Sequence, residues 1–462
     1  MNTDSSALVA LDAVARTYDE TNVPLYISYP TSGYWKTTPD PSGYAADCAA
    51  AKNPFLYFHF PFCEQICHYC MCYKVPNLSV DDRRRYLDAM IGELTLKAAM
   101  RGNSPTDTVT HLHWGGGTPT CMTAAEMEHV FTAADRHFPL APRAGGSFSI
   151  EAFPRSATVT EEKCSLLSRL GFNEISFGVQ DLSARVQKAI NRSCTFEELS
   201  AVVERSRNAG LAVHIDLCYG LPFQELGEFE KTVRRICSLA PDRVAMLTYV
   251  HYPHLFPNQR NIPVSSIPNS FMRVLLADLA SDLFLEAGYC KVGFDHFVRP
   301  ENPLARAARE GTVTRDLMGY SVAERKNVLG FGSSAISYIN GTYYHNAMKV
   351  DAYTSLAGSS VTPLHDTGSH TMSNDDRIRS EIIETQLLSR GTINIPSVEE
   401  RFSIVFGDYF AEELQLLRQC ENDALVTISL PHRIDLTPTG RLFCRHVARV
   451  FDRYCGRRPV RH

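Results

Sequence analysis

The chain lacks any run of about eighteen or more apolar residues, so no membrane-spanning helix is expected. It has no repeat of solenoid type and no low-complexity tract. Its first residues, MNTDSSALVALDAVARTYDE, have no basic segment ahead of a long apolar core, and Asp12 interrupts the apolar stretch. A secretory signal is therefore not expected, and the chain reads as cytoplasmic. A strong charge of either sign is also missing: the net charge is −5, which does not favour a nucleic-acid partner. With 462 residues, 44% hydrophobic and 21% charged, the composition is that of a globular protein of two or three domains.

Fourteen cysteines are present, but most are scattered singly, several in apolar patterns where a free thiol acts as a small hydrophobe. In a reducing compartment disulfides are rare, so a tight cysteine group points to metal or redox chemistry. One such group exists. Cys63, Cys67, Cys70 and Cys72 crowd into HFPFCEQICHYCMCYKV, residues 59–75.

Segments 54–60, 109–114, 147–153, 173–179, 212–219 and 243–250 are rich in β-branched and aromatic residues and bounded by Gly, Pro or Asn, which predicts strands. Between them 81–100, 123–138, 160–170, 196–210 and 227–240 carry helical periodicity. Six such alternations predict an α/β fold with a parallel sheet, as a partial barrel or an open doubly wound sheet. The cysteine group follows the first strand and GGGTP (115–119) the second. Glu151 ends the third, Gln180 the fourth, and Asp216 lies near the end of the fifth. All gather at the carboxyl edge, where such folds place their sites. The expected division is an arm at 1–50, the α/β core at 51–265, an extension with a connecting loop at 266–370, and a helical, winged-helix-like domain at 371–462. The Ser/Thr/Gly-rich stretch 355–375 reads as that loop.

Cys63, Cys67 and Cys70 have the spacing C-x3-C-x2-C. Structural zinc usually takes two separated C-x2-C pairs, and no second pair follows, so zinc would need Cys72 as fourth ligand. Three thiolates on one loop hold three irons of a [4Fe–4S] cube and leave the fourth open. This loop after the first strand resembles the radical S-adenosylmethionine (SAM) superfamily. LYFHFPFCEQICHYCMCYK, HLHWGGGTPT, SIEAFPR, FGVQD, INR, IDLCYGLP, DHFVRP and LGFGSSAIS then run in the order of the oxygen-independent coproporphyrinogen III oxidases. YISYPT and GDYFAEELQLL extend that resemblance to nearly the whole chain.

The resemblance implies a partial (β/α)6 barrel with a [4Fe–4S] cluster that cleaves SAM to a 5′-deoxyadenosyl radical. It implies Cys63, Cys67 and Cys70 as cluster ligands and one or two SAM molecules. Tyr57, Gly116, Gly117, Thr118, Glu151, Gln180, Arg192, Asp216, Val250 and Ile336 fall at SAM-contact positions. Cys72 matches the family's fourth cysteine, which does not bind the cluster and is a candidate catalytic thiol. Flavodoxin or ferredoxin is the implied electron donor, and the chain is expected to be a monomer. Residue chemistry agrees: glycines permit close backbone approach, Glu151 and Asp216 can accept hydrogen bonds from an ammonium or hydroxyls, and Arg192 can pair with a carboxylate. Plainer readings stand beside these. GGGTP can be a tight turn, Glu151 and Arg192 a structural ion pair, Gln180 a helix cap, and Tyr57 and Ile336 core. His59, His111 and His113 read as structural.

Three positions depart from the family pattern: Leu25 stands for arginine, Phe153 lies in Glu-Ala-Phe-Pro where Glu-Val-Asp-Pro is usual, and Met318 replaces a glutamine near a second SAM. Arg155, Arg299 and Lys36 remain as candidate partners for substrate carboxylates. The expected reaction is oxidative decarboxylation of coproporphyrinogen III propionates to vinyls. The alternatives are a related C-methyltransferase or cyclopropanase, which Phe153 would suit, and a haem chaperone, which the Cys72 position and the arm argue against.

Overall fold

The computed structural model describes residues 5–18, 23–102, 108–142, 145–322, 327–359 and 361–455. Six strands, β1 (Phe55–Phe60), β2 (His111–Gly116), β3 (Ser147–Ala152), β4 (Glu174–Gln180), β5 (Ala212–Tyr219) and β6 (Arg243–Thr248), lie side by side in sequence order and all parallel. Each alternates. In β1, Leu56, Phe58 and Phe60 are buried against the helices, while Tyr57 and His59 share the opposite, inward face. The outward side chains of the six strands and the intervening helices form the larger core, with Trp114, Ile150, Phe177 and Ile215 fully buried in it.

The sheet continues past both ends. Beyond β6 come β7 (Cys290–Val292) and β8 (His296–Val298), with β8 antiparallel to both β6 and β7. On the far side of β1 lies a seventh parallel strand, β9 (Asn327–Phe331), followed by β10 (Ile336–Ile339), β11 (Thr342–Asn346) and β12 (Leu364–Thr371) in antiparallel succession. The outermost strands, β12 and β7, do not pair with each other, so the barrel is partial. The stretch expected to be a loop, 355–375, is instead the end of a helix (Val350–Gly358) and the strand β12. Its Ser and Thr content misled because β12 is the sheet's outermost strand and its polar side chains are partly solvated.

Helix α1 (Val80–Arg101) starts where the Ser79 hydroxyl accepts a hydrogen bond from the Asp82 amide and stops at Gly102, whose φ is 68°. Its buried face is not wholly apolar. Glu93 and Lys97, both fully buried, form an ion pair of 2.7 Å. Glu93 also accepts from the Gly332 amide at 2.8 Å, Asn346 Nδ2 at 2.8 Å and Tyr353 Oη at 2.6 Å. Lys97 Nζ donates to the Gly330 carbonyl. This network ties α1 to the strands that follow residue 327 and adds to the backbone ladder that pairs the seventh parallel strand with β1.

A second core joins the two ends of the chain. Tyr18, Val23, Tyr26 and Tyr29 of the arm pack with Ile378, Ile382, Leu387, Phe410 and Phe451 of the carboxyl-terminal part. Tyr26 Oη donates to Asp452 at 3.1 Å. That part consists of a helix Asn374–Ser380 passing into a π-helical stretch Glu381–Arg390, further helices and a three-stranded sheet of Thr392–Asn394, Arg433–Leu436 and Val426–Ser429. No helix among the described residues is long and apolar enough to cross a membrane.

Candidate active site

The cysteine loop leaves β1 and is fastened on three sides. Phe62–Cys63 pairs with Val75–Pro76, closing the loop on itself. The turn after β2 is bonded to its start: the Gly117 amide donates to the Phe60 carbonyl at 2.8 Å and the Thr118 amide to the Phe62 carbonyl at 2.6 Å. A Cβ on Gly117 would lie 2.6 Å from the Phe62 oxygen. Glycine is thus required there by the approach of the cysteine loop itself. The Ile190-Asn191-Arg192 turn holds the far side. The His68 amide donates to the Ile190 carbonyl at 2.9 Å, and Asn191 Nδ2 to the Ile66 carbonyl at 2.9 Å.

Two residues that the sequence reading passed over complete the clamp. Asn258 Nδ2 donates to the carbonyls of Cys67, His68 and Cys70 at 3.1, 2.9 and 2.9 Å. The buried Gln259 donates from Nε2 to Tyr69 and Val250 carbonyls at 3.1 and 3.0 Å. Val250 is itself buried, and its backbone rather than its side chain makes this link. Lys74 Nζ donates to the Cys70 and Cys72 carbonyls, both at 3.1 Å. The loop carbonyls are thus largely taken, and the thiols are what it has left to offer.

Of those thiols, Cys67 Sγ lies 3.3 Å from Arg192 Nη1, Cys63 Sγ lies 3.9 Å from Thr118 Oγ1, and Cys70 shares a hydrogen bond with Cys72. That bond is the largest influence holding the Cys70 thiol low and pushing the Cys72 thiol high, so Cys70 is the thiolate of the pair. Among the described residues no three Cys, His, Asp or Glu side chains converge as a cage for a single ion. A polynuclear cluster spreads its metal atoms and takes thiolates set wider apart, and a three-thiol donor set with an adjacent guanidinium fits it.

On the inward face a line of polar side chains crosses the strands. Tyr57 Oη bonds His59 Nδ1 at 2.9 Å, and His59 Nε2 bonds the Tyr73 carbonyl at 3.0 Å. A carbonyl only accepts, so Nε2 carries the hydrogen and Tyr57 donates to Nδ1. Burial lowers the pKa of His59, in keeping with this neutral form. Tyr57 stacks on His113 with ring centroids 6.0 Å apart. His113 Nε2 lies 3.2 Å from Glu151 Oε1, and the Gly116 amide donates to Glu151 Oε2 at 3.1 Å. Burial pushes the Glu151 carboxyl up, but His113 and the Gly116 amide outweigh it and hold it below the ordinary range. On the next strand Ser176 pairs in register with Glu151, and its hydroxyl donates to Asp216 Oδ2 at 3.0 Å. Burial, then the nearby Glu151, raises the Asp216 carboxyl.

Arg192 does not pair with Glu151, so the structural ion pair is not formed. Its guanidinium lies 4.0 Å from the Phe153 ring centroid and donates to the Gly178 carbonyl, while its buried Nε has no hydrogen-bond partner among the described residues. Gln180 is no helix cap. It sits at a bulge with φ 70°, and Asp181 receives the Ser183 amide instead. Its Nε2 and Arg192 Nη2 both close over Gly178, where a Cβ would meet them at 2.9 and 3.1 Å. Ile336 begins β10 and packs beside Trp35, Tyr343 and Met372. The acceptors Glu151 and Asp216 and the unpartnered Arg192 Nε are a fitting set for an amino acid attached to a ribose.

The Phe153 ring meets a second guanidinium as well, that of Arg155, 4.9 Å from its centroid. Arg155 is further engaged by Glu64 at 3.1 Å. Arg299 stands at the other end of the barrel, its amide bonded to the Asp242 carbonyl just before β6. Neither is free to meet a substrate carboxylate at the loop, and Lys36 is an exposed side chain.

A parallel partial barrel with a three-thiol loop after its first strand and this acceptor line on its inward face defines a radical SAM enzyme, and a model of the radical SAM superfamily matches residues 57–236. Its cofactors are a [4Fe–4S] cluster and SAM. The oxygen-independent coproporphyrinogen III oxidase of Pseudomonas aeruginosa is 35% identical over 445 residues, 95% of each chain. That of Escherichia coli K12 is 33% identical over 439 residues, 93% of each. The solved coproporphyrinogen III oxidase of Escherichia coli superposes with a TM-score of 0.85 at 31% identity, covering 94% of this chain and 100% of that one. The chain belongs to the oxygen-independent coproporphyrinogen III oxidase family.

Proposed function

We propose that this enzyme converts propionate side chains of coproporphyrinogen III to vinyl groups without oxygen, with Cys63, Cys67 and Cys70 as the cluster ligands. The observation that carries this reading is the full-length correspondence in structure with an enzyme named for that substrate, at a TM-score of 0.85. When bound, the cluster and SAM supply a carbon radical able to remove a hydrogen atom from an unactivated carbon. The reaction then needs loss of a hydrogen atom from the propionate β-carbon, release of CO2 from the ionised carboxylate, and transfer of one electron to an acceptor. No general acid or base is required, so the protein's task is positioning and exclusion of water.

In this reading Glu151 and Asp216 accept from the SAM ammonium and ribose, and Arg192 Nε donates to its carboxylate. Tyr57, Gln180, Val250 and Ile336 bound the site, and Gly116, Gly117 and Thr118 fix the loop against it. A flavodoxin or ferredoxin supplies the electron, and the enzyme works as a cytoplasmic monomer. The alkylation alternative loses its motive, because the Phe153 ring already serves as a platform for two arginines.

Anaerobic turnover with coproporphyrinogen III, SAM and reductant tests the reading. Mass spectrometry is expected to show stepwise loss of CO2 plus two hydrogens from the tetrapyrrole. An unchanged tetrapyrrole alongside release of 5′-deoxyadenosine would overturn it.

A further inference from the structure

Phe55, Val328, Tyr338 and Tyr343 stand side by side across β1, β9, β10 and β11. This row lies on the same inward face as Tyr57, two residues nearer the start of β1, or about 7 Å away. Against it lies a cavity of about 350 Å³, closed on its other side by Glu384, Arg377 and Arg401 of the helical part, with Arg315 between. Glu384 belongs to the π-helical stretch Glu381–Arg390, a rare backbone form that is frequent at functional sites.

The cavity holds polar atoms that lack partners. Glu384 is only 4% exposed. Its Oε2 accepts from the Ser380 hydroxyl, and Oε1 has no partner among the described residues. Arg315 donates from Nη1 to the Tyr26 carbonyl, while its buried Nε also has none. Native proteins rarely leave such atoms unpaired. Arg401 is held by Glu381 at 2.9 Å, and Arg377 meets no carboxylate among the described residues. Burial pushes the Glu384 carboxyl up to about 8, so it is neutral near pH 7. Arg315, Arg377 and Arg401 line the cavity with the carboxylates of Asp316 and Glu381, and Asp295 also acts on Arg315, so the fixed charges are near balance and the unpartnered Arg315 Nε is what the cavity offers an anion. A guanidinium N–H beside a protonated carboxyl is a matched pair of donors for a carboxylate. Arg315 also stands against Tyr26, next to Leu25, where the family carries an arginine.

We propose that this cavity is a carboxylate-binding pocket that holds one unreacted propionate arm of the tetrapyrrole between Arg315 and Glu384 while another arm is presented at Tyr57. This rests on the tetrapyrrole reading above and adds where the substrate is gripped. The pocket is not used for chemistry. It fixes the macrocycle so that a chosen arm reaches the inward polar line.

The test is equilibrium binding to the anaerobically reconstituted full-length protein. Coproporphyrin III, the fluorescent oxidised tetrapyrrole with the same four propionates, is titrated alongside its tetramethyl ester. Wild type is expected to prefer the acid by at least about ten-fold, since charged hydrogen bonds are at stake. Arg315→Gln and Glu384→Leu should each weaken the acid by about ten-fold and leave the ester unchanged, and the exposed Arg377→Gln should cost a few-fold. Glu384→Gln guards against a variant that misfolds, because it keeps the shape and a donor but cannot ionise. The groups facing Glu384 are Ser380, Arg315, Asp316, Glu381 and Tyr343. As pH rises through about 8 the wild-type carboxyl ionises and repels the ligand, so acid affinity should fall in wild type and hold in Glu384→Gln. Equal acid affinity in wild type and all folded variants overturns the pocket. So does failure of wild type to bind the acid. Turnover of coproporphyrinogen III, measured separately, decides the tetrapyrrole reading in either case.

Discussion

Asn258 Nδ2 stands 2.9 Å from the carbonyl oxygen of Cys70, and the same nitrogen reaches the carbonyls of Cys67 and His68. One side chain from a short turn after β6 therefore fixes the thiol loop's backbone at Cys67 and Cys70, two of the three proposed ligands. Sulfur positions follow from backbone positions, so a cluster site built on a loop depends on such a clamp. Replacing Asn258 by Ala removes a donor worth about 1 kcal/mol or more without emptying any core. The variant should fold with unchanged circular dichroism, yet lose iron and sulfide to a chelator several-fold faster than wild type. Equal rates would show that the other loop bonds suffice.

The Glu151 carboxylate is kept ionised by His113 and the Gly116 amide against the effect of burial. Its pKa is depressed, so the contribution to SAM binding proposed for it would be fully present above the ordinary carboxylate range and lost as pH falls through the depressed value. His113→Phe keeps the ring that stacks on Tyr57 and removes the hydrogen bond. Burial then dominates and the Glu151 pKa rises. The acid limb of SAM affinity should move to higher pH. Titrations of SAM by calorimetry at several pH values check this, and superimposable profiles for the two proteins would refute it.

Much of this site was legible before the structure because it depends on local pattern. β5 spans the residues expected from sequence, and β1 to β4 and β6 differ only at their ends. Their positions at or near the ends of the third and fifth predicted strands placed Glu151 and Asp216 at the carboxyl edge, and the cysteine spacing marked the loop. The partners were not legible. His113 meets Glu151 across 38 positions, and Asn258 meets Cys70 across 188. Nothing local to a histidine on a strand says which carboxylate stands beside it. The same holds for β12, whose polar outermost face has the composition of a loop, and for Glu93 and Lys97, which share the helix stripe of Tyr86, Met90 and Leu94 but carry charges that ordinarily mark a solvated position.

Cys72 shares a hydrogen bond with Cys70 but is the thiol of the pair that is pushed high. Cys72 also stands outside the C-x3-C-x2-C spacing of the three proposed ligands. Cys72→Ser should accordingly retain the iron and sulfide content of wild type and its cluster absorption. Cys63→Ser, Cys67→Ser and Cys70→Ser should each lose most of both. Iron loss in Cys72→Ser equal to that of the other three would make Cys72 a ligand.

The buried Glu93–Lys97 pair has every visible obligation met: the carboxylate accepts from a backbone amide, Asn346 and Tyr353, and the ammonium donates to the Gly330 carbonyl. Such a pair adds little over a well-packed apolar replacement, because desolvation offsets the attraction. Breaking it is another matter. Lys97→Met leaves a carboxylate in the core without its cation and should cost about 3–5 kcal/mol, as should Glu93→Leu with its stranded ammonium. The double replacement should be less destabilised than the sum of the two by several kcal/mol, although Gly332, Asn346 and Tyr353 then lose an acceptor. Chemical denaturation of the four proteins measures this coupling. Additive single effects would show that the two charges act independently, and that the seventh parallel strand is held by its backbone bonds to β1 rather than by this network.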